Sequence, residues 1–170
     1  MIEIVLIAGP AGVGKTTVAN ELSVQLRAAG VRHAVVDTDA LDDVFPVPEE
    51  QWKLTERHLA FVWQSYRELG ISRLILTGVY LHDPNELAWI TRATTPDRVT
   101  LIRLDASEET LARRVRGREI GSAYEDQLTR TRRQAVDLRE RIDQQAIVSR
   151  TDNRSVVEIG VELRRTLGWG

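Results

Sequence analysis

Residues Gly9 to Thr16 read G-P-A-G-V-G-K-T and match G-x-x-x-x-G-K-[ST] without a mismatch. Glycines at this spacing let the backbone turn tightly and aim its N–H groups at phosphate oxygens, and a helix starting near Lys15 adds its positive dipole end. The motif predicts a nucleoside triphosphate cradled by Gly12, Val13 and Gly14, with Lys15 reaching the β- and γ-phosphates. The Thr16 hydroxyl is placed to join the shell of a magnesium ion, and Thr17 to donate on the α-phosphate side. A second pair of chemical groups, Asp37 and Asp39, follows the apolar Val35-Val36. If the chain stays extended, both carboxylates face the same side, so Asp37 can hold metal-bound water while Asp39 meets a hydroxyl of an acceptor. A turn or a helix cap uses the same D-x-D letters, and that alternative stays open.

These groups need elements to hold them. The apolar run Ile2 to Ala8 reads as a buried strand feeding the glycine-rich turn, and Val18, Leu22 and Leu26 give the next segment a helical stripe. His33 to Val36 reads as a second strand closing at Asp37, Arg57 to Leu69 as a helix stopped by Gly70, and Arg73 to Thr77 as a third strand. Val99 to Leu104 makes a fourth strand. Ser107 is placed to cap a helix with Glu108 and Glu109 in its first turn and Arg113 and Arg114 late in it, the charge order a helix dipole favours. A long polar helix over about Tyr124 to Gln145, a short fifth strand at Ala146-Ile147-Val148 and a last helix capped by Ser155 complete the chain. Strand–helix alternation predicts an α/β fold with a parallel sheet, helices on both faces and ligands at the carboxyl ends of the strands.

At 170 residues with a net charge of -2, one domain over 1–170 suffices, and no surface-wide field draws nucleic acid or anionic lipid. No cysteine is present, which removes disulfides, thiolate metal sites and a cysteine nucleophile. A strand beginning at Ile2 leaves no room for a targeting segment, and no apolar run approaches a membrane span, so a cytoplasmic location without membrane or nucleic-acid partners is expected. No N-K-x-D guanine motif occurs, which disfavours a GTPase.

With the glycine-rich loop and Asp37-Thr38-Asp39 together, the chain resembles the small P-loop metabolite kinases of the nucleoside-monophosphate-kinase-like group, which include shikimate, gluconate and adenylylsulfate kinases and chloramphenicol phosphotransferase. The resemblance implies a three-layer P-loop fold with a five-stranded parallel sheet ordered 2-3-1-4-5, a substrate-binding region at about 40–70, a small lid at about 115–127, and the cofactors ATP and Mg2+. It also implies that Arg114 stacks on adenine and that Arg118 touches the transferring phosphoryl group, with Arg130, Arg132 and Arg133 as further contacts. The stretch Arg150 to Ser155, with Asn153 at its centre, is similar to the adenine-side loop of these kinases. The implied activity is transfer of the γ-phosphoryl group to a hydroxyl of a small metabolite. A nucleotide-dependent switch or ATPase, or a kinase that modifies an antibiotic or nucleoside, is the alternative.

The chain departs from shikimate kinase after the third strand, where Gly78 stands alone in place of a glycine triplet and the strand lacks a terminal aspartate. Shikimate itself is thus not the expected acceptor. Tyr80, His82 and Asp83 follow where an acceptor would lie. The apolar loop Asp42 to Thr55 is expected to supply pocket walls through Phe45 and Trp52, with Arg57 or His58 for an anionic group, whereas Trp63, Trp89 and Trp169 are expected in packing roles.

Overall fold

A computed structural model describes residues 1–118, 124–140 and 146–170, the side chains of 118, 124–127, 139 and 140 excepted. Five strands, β1 (Glu3–Ala8), β2 (Ala34–Asp37), β3 (Arg73–Gly78), β4 (Arg98–Asp105) and β5 (Ile147–Arg150), form one sheet in the order β2-β3-β1-β4-β5. Every neighbouring pair is parallel. The helices are α1 (Lys15–Ala28), α2 (Gln51–Glu68), α3 (Pro84–Thr94), α4 (Glu108–Arg118), α5 (Tyr124–Glu140) and α6 (Val156–Leu167). No described helix is long and apolar enough to cross a membrane.

The period-two alternation of β1 sorts its side chains between two cores. Val5 and Ile7 pack with Val18, Leu22 and Leu26 of α1 and Ile159 and Leu163 of α6. Ile4 and Leu6 pack with Leu59 and Trp63 of α2 and Trp89 and Ile90 of α3. Helices therefore cover both faces, and polar groups can gather only at the edges. Register then decides which ones meet: Ala8 lies opposite Gly78 and Asp37 opposite Thr77, so the glycine-rich loop, Asp37 and the end of β3 emerge together.

Several boundaries differ from the sequence expectation for identifiable reasons. Helix α2 begins at Gln51 instead of Arg57, because its buried stripe starts at Thr55, whose hydroxyl is satisfied at 2.6 Å by Asp42 Oδ2. A polar residue therefore opens the buried stripe, and the apolar pattern alone misses it. Helix α3 was not assigned from sequence, although Asp83-Pro84 is a start signal: Pro84 occupies the first turn, and Asp83 Oδ1 accepts from the Asn85 backbone N–H at 2.9 Å. Strand β5 runs on to Arg150, with Ser149 buried opposite Leu104. The expected long helix is described as α5 to Glu140, and 141–145 lie outside the described residues. Ser155 caps α6 in a capping box with Glu158, as its position predicts. Trp63 and Trp169 are buried in the two cores, the latter beneath the end of α6.

Gly78 is where the second and third strands come closest to the site. The Thr38 hydroxyl donates to the Thr77 carbonyl at 2.9 Å, and a Cβ on Gly78 would stand 2.5 Å from Thr38 Oγ1 and 3.0 Å from the Leu81 side chain. Gly78→Ala is expected to lower stability by about 1–3 kcal/mol, the usual cost of overpacking, read as a lower urea midpoint with an unchanged slope. An unchanged midpoint would show that the Thr38 turn moves aside freely.

Candidate functional site

The loop between β1 and α1 has the backbone that its glycines permit. Gly12 and Gly14 take φ of 77° and 105°, and a Cβ on Gly12 would meet the Val115 side chain at 3.1 Å. Gly14 is the N-cap of α1 with no side-chain capping bond and no acidic residue in the first turn, so the helix presents its amides and positive dipole end to the loop. Lys15 Nζ donates to the carbonyls of Gly9 at 3.0 Å and Pro10 at 3.3 Å, placing its charge over the loop. Thr16 and Thr17 are exposed beside it.

One cavity of about 470 Å3 opens against this loop, with Gly12, Gly14, Thr17, Arg114, Thr151 and Arg154 in its wall. Arg114 ties the wall together: its guanidinium donates to the Val13 carbonyl at 2.9 Å, the Thr151 hydroxyl at 2.9 Å and the Thr151 carbonyl at 3.1 Å. Burial lowers its pKa, opposed by Asp152, which lies close enough to favour the cation. Asp152 in turn accepts from the Ser107 N–H and hydroxyl, fixing the loop after β5 to the start of α4. Asn153 stands at the tip of that loop with φ 52°, exposed; Thr151 and Arg154, on either side of it, are the residues that line the cavity.

Asp37 does two things at once. Its Oδ2 accepts from Thr16 Oγ1 at 3.2 Å, and its Oδ1 accepts from the Asp39 backbone N–H at 3.2 Å, capping a single 3-10 turn at Thr38–Ala40. The chain therefore does not stay extended through Asp39, as the same-side argument required. The cap reading of D-x-D holds for Asp37, whose other oxygen lies beside the Thr16 hydroxyl. Asp39 is turned toward a second cavity.

That cavity, about 620 Å3, includes Asp39, Asp42, Trp52, Glu86, Trp89 and Arg130 in its wall. Asp39 is open to the cavity yet surrounded by its walls, and this burial raises its pKa; Lys15 pulls it down, while Asp37 and Asp42 push it up. Glu86 is raised too, first by burial and then by Asp83, Asp42 and Asp39, against a lowering hydrogen bond from Trp89 Nε1 at 3.1 Å. Carboxylates thus crowd one space.

The other candidates divide. Trp52 reaches the second cavity, but from α2 and not from a loop, and Trp89 both packs in the core and lines that cavity. Phe45 is 94% exposed and lines neither cavity; Arg57 faces away, and His58 Nδ1 lies 2.6 Å from the Leu41 carbonyl. The anionic anchor expected at Arg57 or His58 is therefore not in the cavity wall. Tyr80 lines it, His82 is buried next to Tyr80, and Asp83 caps α3. Arg130 lines the cavity, Arg132 pairs with Glu108 at 2.7 Å, and Arg133 is exposed. The Arg118 side chain and residues 119–123 of the expected lid at 115–127 lie outside what the structure describes.

Two residues at the site carried no readable sequence signal. Gln134 Oε1 accepts from the Ala11 N–H at 2.9 Å, so α5 buttresses the glycine-rich loop from 123 residues away. Glu86 looks like an ordinary first-turn acid of a helix, and only the fold shows that it faces Asp39.

The loop's donor set fits a hard cation. A hydroxyl and a carboxylate oxygen suit magnesium, which keeps several waters and takes the rest of its shell from phosphate. Among the described residues no group of three His, Asp or Glu side chains could hold a metal ion by itself, so such an ion would depend on the nucleotide.

Among known proteins, a family described as an AAA domain matches residues 5–139. No curated protein matches the sequence. Among solved structures, a sugar kinase from Janibacter sp. HTCC2649 is 19% identical with a TM-score of 0.65, covering 100% of this chain and 96% of that one. Shikimate kinase from Bacteroides thetaiotaomicron is 17% identical with a TM-score of 0.64, covering 98% of each. The Mycobacterium tuberculosis APS kinase, in complex with AMPPNP and APS, is 16% identical with a TM-score of 0.61, again covering 98% of each. At such identities the likeness is one of fold, and the fold is that of the small P-loop kinases.

Proposed function

The chain belongs to the AAA domain family, and on that premise we propose that it is an ATP- and magnesium-dependent kinase, acting in the cytoplasm, that phosphorylates a hydroxyl of a small metabolite. The observation that carries this reading is the second cavity beside the glycine-rich loop, with Asp39 in its wall and Lys15 within electrostatic reach. Hydrolysis by water alone needs no space of about 620 Å3. One similar kinase of known structure is described in complex with both AMPPNP and APS, a nucleotide and a second ligand, which supports this reading.

In this reading the triphosphate lies over Gly12 to Thr17, its charge met by the loop amides, the α1 dipole and Lys15. Arg114, held flat by its bonds to Val13 and Thr151, offers a planar cation to the base, and the backbone around Asn153 borders it. Thr16 and Asp37 would hold magnesium, which when bound neutralises charge on the phosphates. Asp39 orients the acceptor hydroxyl and takes its proton, and its raised pKa makes it a stronger base than an ordinary aspartate. The acceptor oxygen bonds to the γ-phosphorus, the bond from that phosphorus to the β,γ-bridging oxygen breaks, and ADP leaves with the electron pair. Arg130 from the cavity wall and Arg118 by resemblance would meet the charge on the phosphoryl group in flight.

The test is ADP release with Mg2+ and ATP across hydroxylated metabolites, nucleosides and aminoglycoside or phenicol antibiotics, beside wells without acceptor. Release is expected to depend on an acceptor. A uniform rate across all wells would reject the kinase reading in favour of an ATPase or switch.

A further inference from the structure

The second cavity has a charge that selects its ligand. Asp39, Asp42, Glu49 and Glu86 line it, and among the described residues Arg130 is its one cationic lining residue. Of the nearby cations, Lys53 pairs with Glu50 at 2.6 Å and Arg92 with Glu56 at 2.7 Å, while Lys15 offsets part of the negative charge at Asp39. Asp83 and Asp37 add further negative charge from behind Glu86 and Asp39. An acceptor carrying a carboxylate, sulfate or phosphate would enter against this field.

The carboxylates do not converge on a point. No three of them, among the described residues, are arranged to hold a metal ion, so they are spread around the wall as an organic molecule with several polar groups would need. Trp52, Tyr80 and Trp89 line the same cavity, Tyr80 partly exposed and Trp89 buried. Carboxylates are the recognition chemistry of an ammonium group, which gains from ion pairing and charge-assisted hydrogen bonds, and an apolar wall beside them suits the carbon skeleton that carries it.

Building on the kinase reading above, we infer that the acceptor is an alcohol that also carries an ammonium group, such as an amino sugar or aminocyclitol, with the ammonium received by Glu86 and Asp42 and the hydroxyl turned to Asp39. Glu86 Oε2 is held by Trp89 Nε1, and Asp42 Oδ2 by the Thr55 hydroxyl, so both carboxylates are positioned before a ligand arrives.

The experiment uses compounds on matched skeletons: glucosamine, N-acetylglucosamine, glucose and gluconate, and 2-deoxystreptamine with its di-N-acetyl derivative. Binding to the full chain with a non-hydrolysable ATP analogue and Mg2+ is read by calorimetry, and phosphorylation is read separately by ADP release. The amines are expected to bind roughly 10- to 100-fold more tightly than their neutral partners, the range of a charge-assisted hydrogen bond. Glu86→Gln is expected to lower the preference for amines over their neutral partners by at least about tenfold, and Asp42→Asn is the second variant should the first fold poorly. Gluconate binding better than glucosamine, equal binding of amine and N-acetyl forms, no binding of any amine, or a preference untouched by both variants would each overturn the inference. The two readings separate cleanly. Phosphorylated gluconate leaves the kinase standing and removes the ammonium preference, whereas amines that bind but are never phosphorylated leave the preference standing and count against transfer.

Discussion

Asp39→Asn is expected to lower acceptor phosphorylation by roughly 10²- to 10⁴-fold, the contribution of a positioned general base, while nucleotide binding and the fold persist. Asparagine keeps the size of the side chain and an oxygen that can accept a hydrogen bond, so an acceptor can still be oriented. What it cannot do is take the proton. The stability consequence has the opposite sign. Burial, with Asp37 and Asp42 adding to it and Lys15 only partly opposing, raises the Asp39 pKa in the folded chain above its ordinary value of 3.8. A carboxyl raised on folding binds its proton more tightly in the native state, so its favourable contribution is complete at low pH and is lost as pH rises through the folded value. At neutral pH the wild type carries an ionised, crowded carboxylate that the variant lacks. The variant is therefore expected to melt at or slightly above the wild-type temperature at pH 7, and the two should converge below the ordinary carboxylate range. Thermal melts at both pH values beside turnover assays check this, and turnover within a few fold of wild type would remove Asp39 from the chemistry.

The sheet was readable because its signals are local and redundant. Each strand is an apolar run flanked by a turn or cap signal, and the resemblance supplied the order that periodicity cannot, 2-3-1-4-5, which the register of β1 with β3 and β4 reproduces. The glycine-rich loop was legible for the same reason: its geometry is dictated by residues next to one another. Asp37 and Asp39 were legible as chemistry but not as geometry. Only the turn at Thr38–Ala40 shows that Asp37 serves Thr16 while Asp39 turns to the other cavity.

The acceptor cavity was the least legible part, because its wall is assembled from β3's end, α2, α3 and α5, and no short window of sequence contains it. Apolar side chains in the 42–55 stretch drew attention to Phe45, which faces solvent, while the polar Thr55 and Asp42 that organise the start of α2 looked unremarkable. Charge misled in the same way. Arg57 and His58 lie near the right place in sequence and on the wrong side of α2, whereas Glu86, further along the chain on α3, lines the cavity with Asp39.

Lys15→Ala is expected to lower transfer by roughly 10²- to 10³-fold, the usual loss when one preorganised charge is taken from a developing oxyanion, and to weaken nucleotide binding with it. The fold should hold, because the bonds of Lys15 Nζ to the Gly9 and Pro10 carbonyls lie within a loop that α1 and β1 position independently. A second, separable effect follows from charge. Lys15 is the group that lowers the Asp39 pKa against burial and two neighbouring carboxylates, so removing it lets that pKa climb further. The residual activity of Lys15→Ala should therefore fall off on the acid side at a higher pH than the wild type's. Lys15→Arg divides the two effects. It restores a positive charge near Asp39 and so the wild-type acid limb, but its broad planar fork cannot replace the compact ammonium within the loop, and transfer should stay low. An acid limb at the same pH in wild type, Lys15→Ala and Lys15→Arg would mean that Lys15 and Asp39 do not share one electrostatic site, and the assignment of Asp39 as the proton acceptor beside the triphosphate would fall with it.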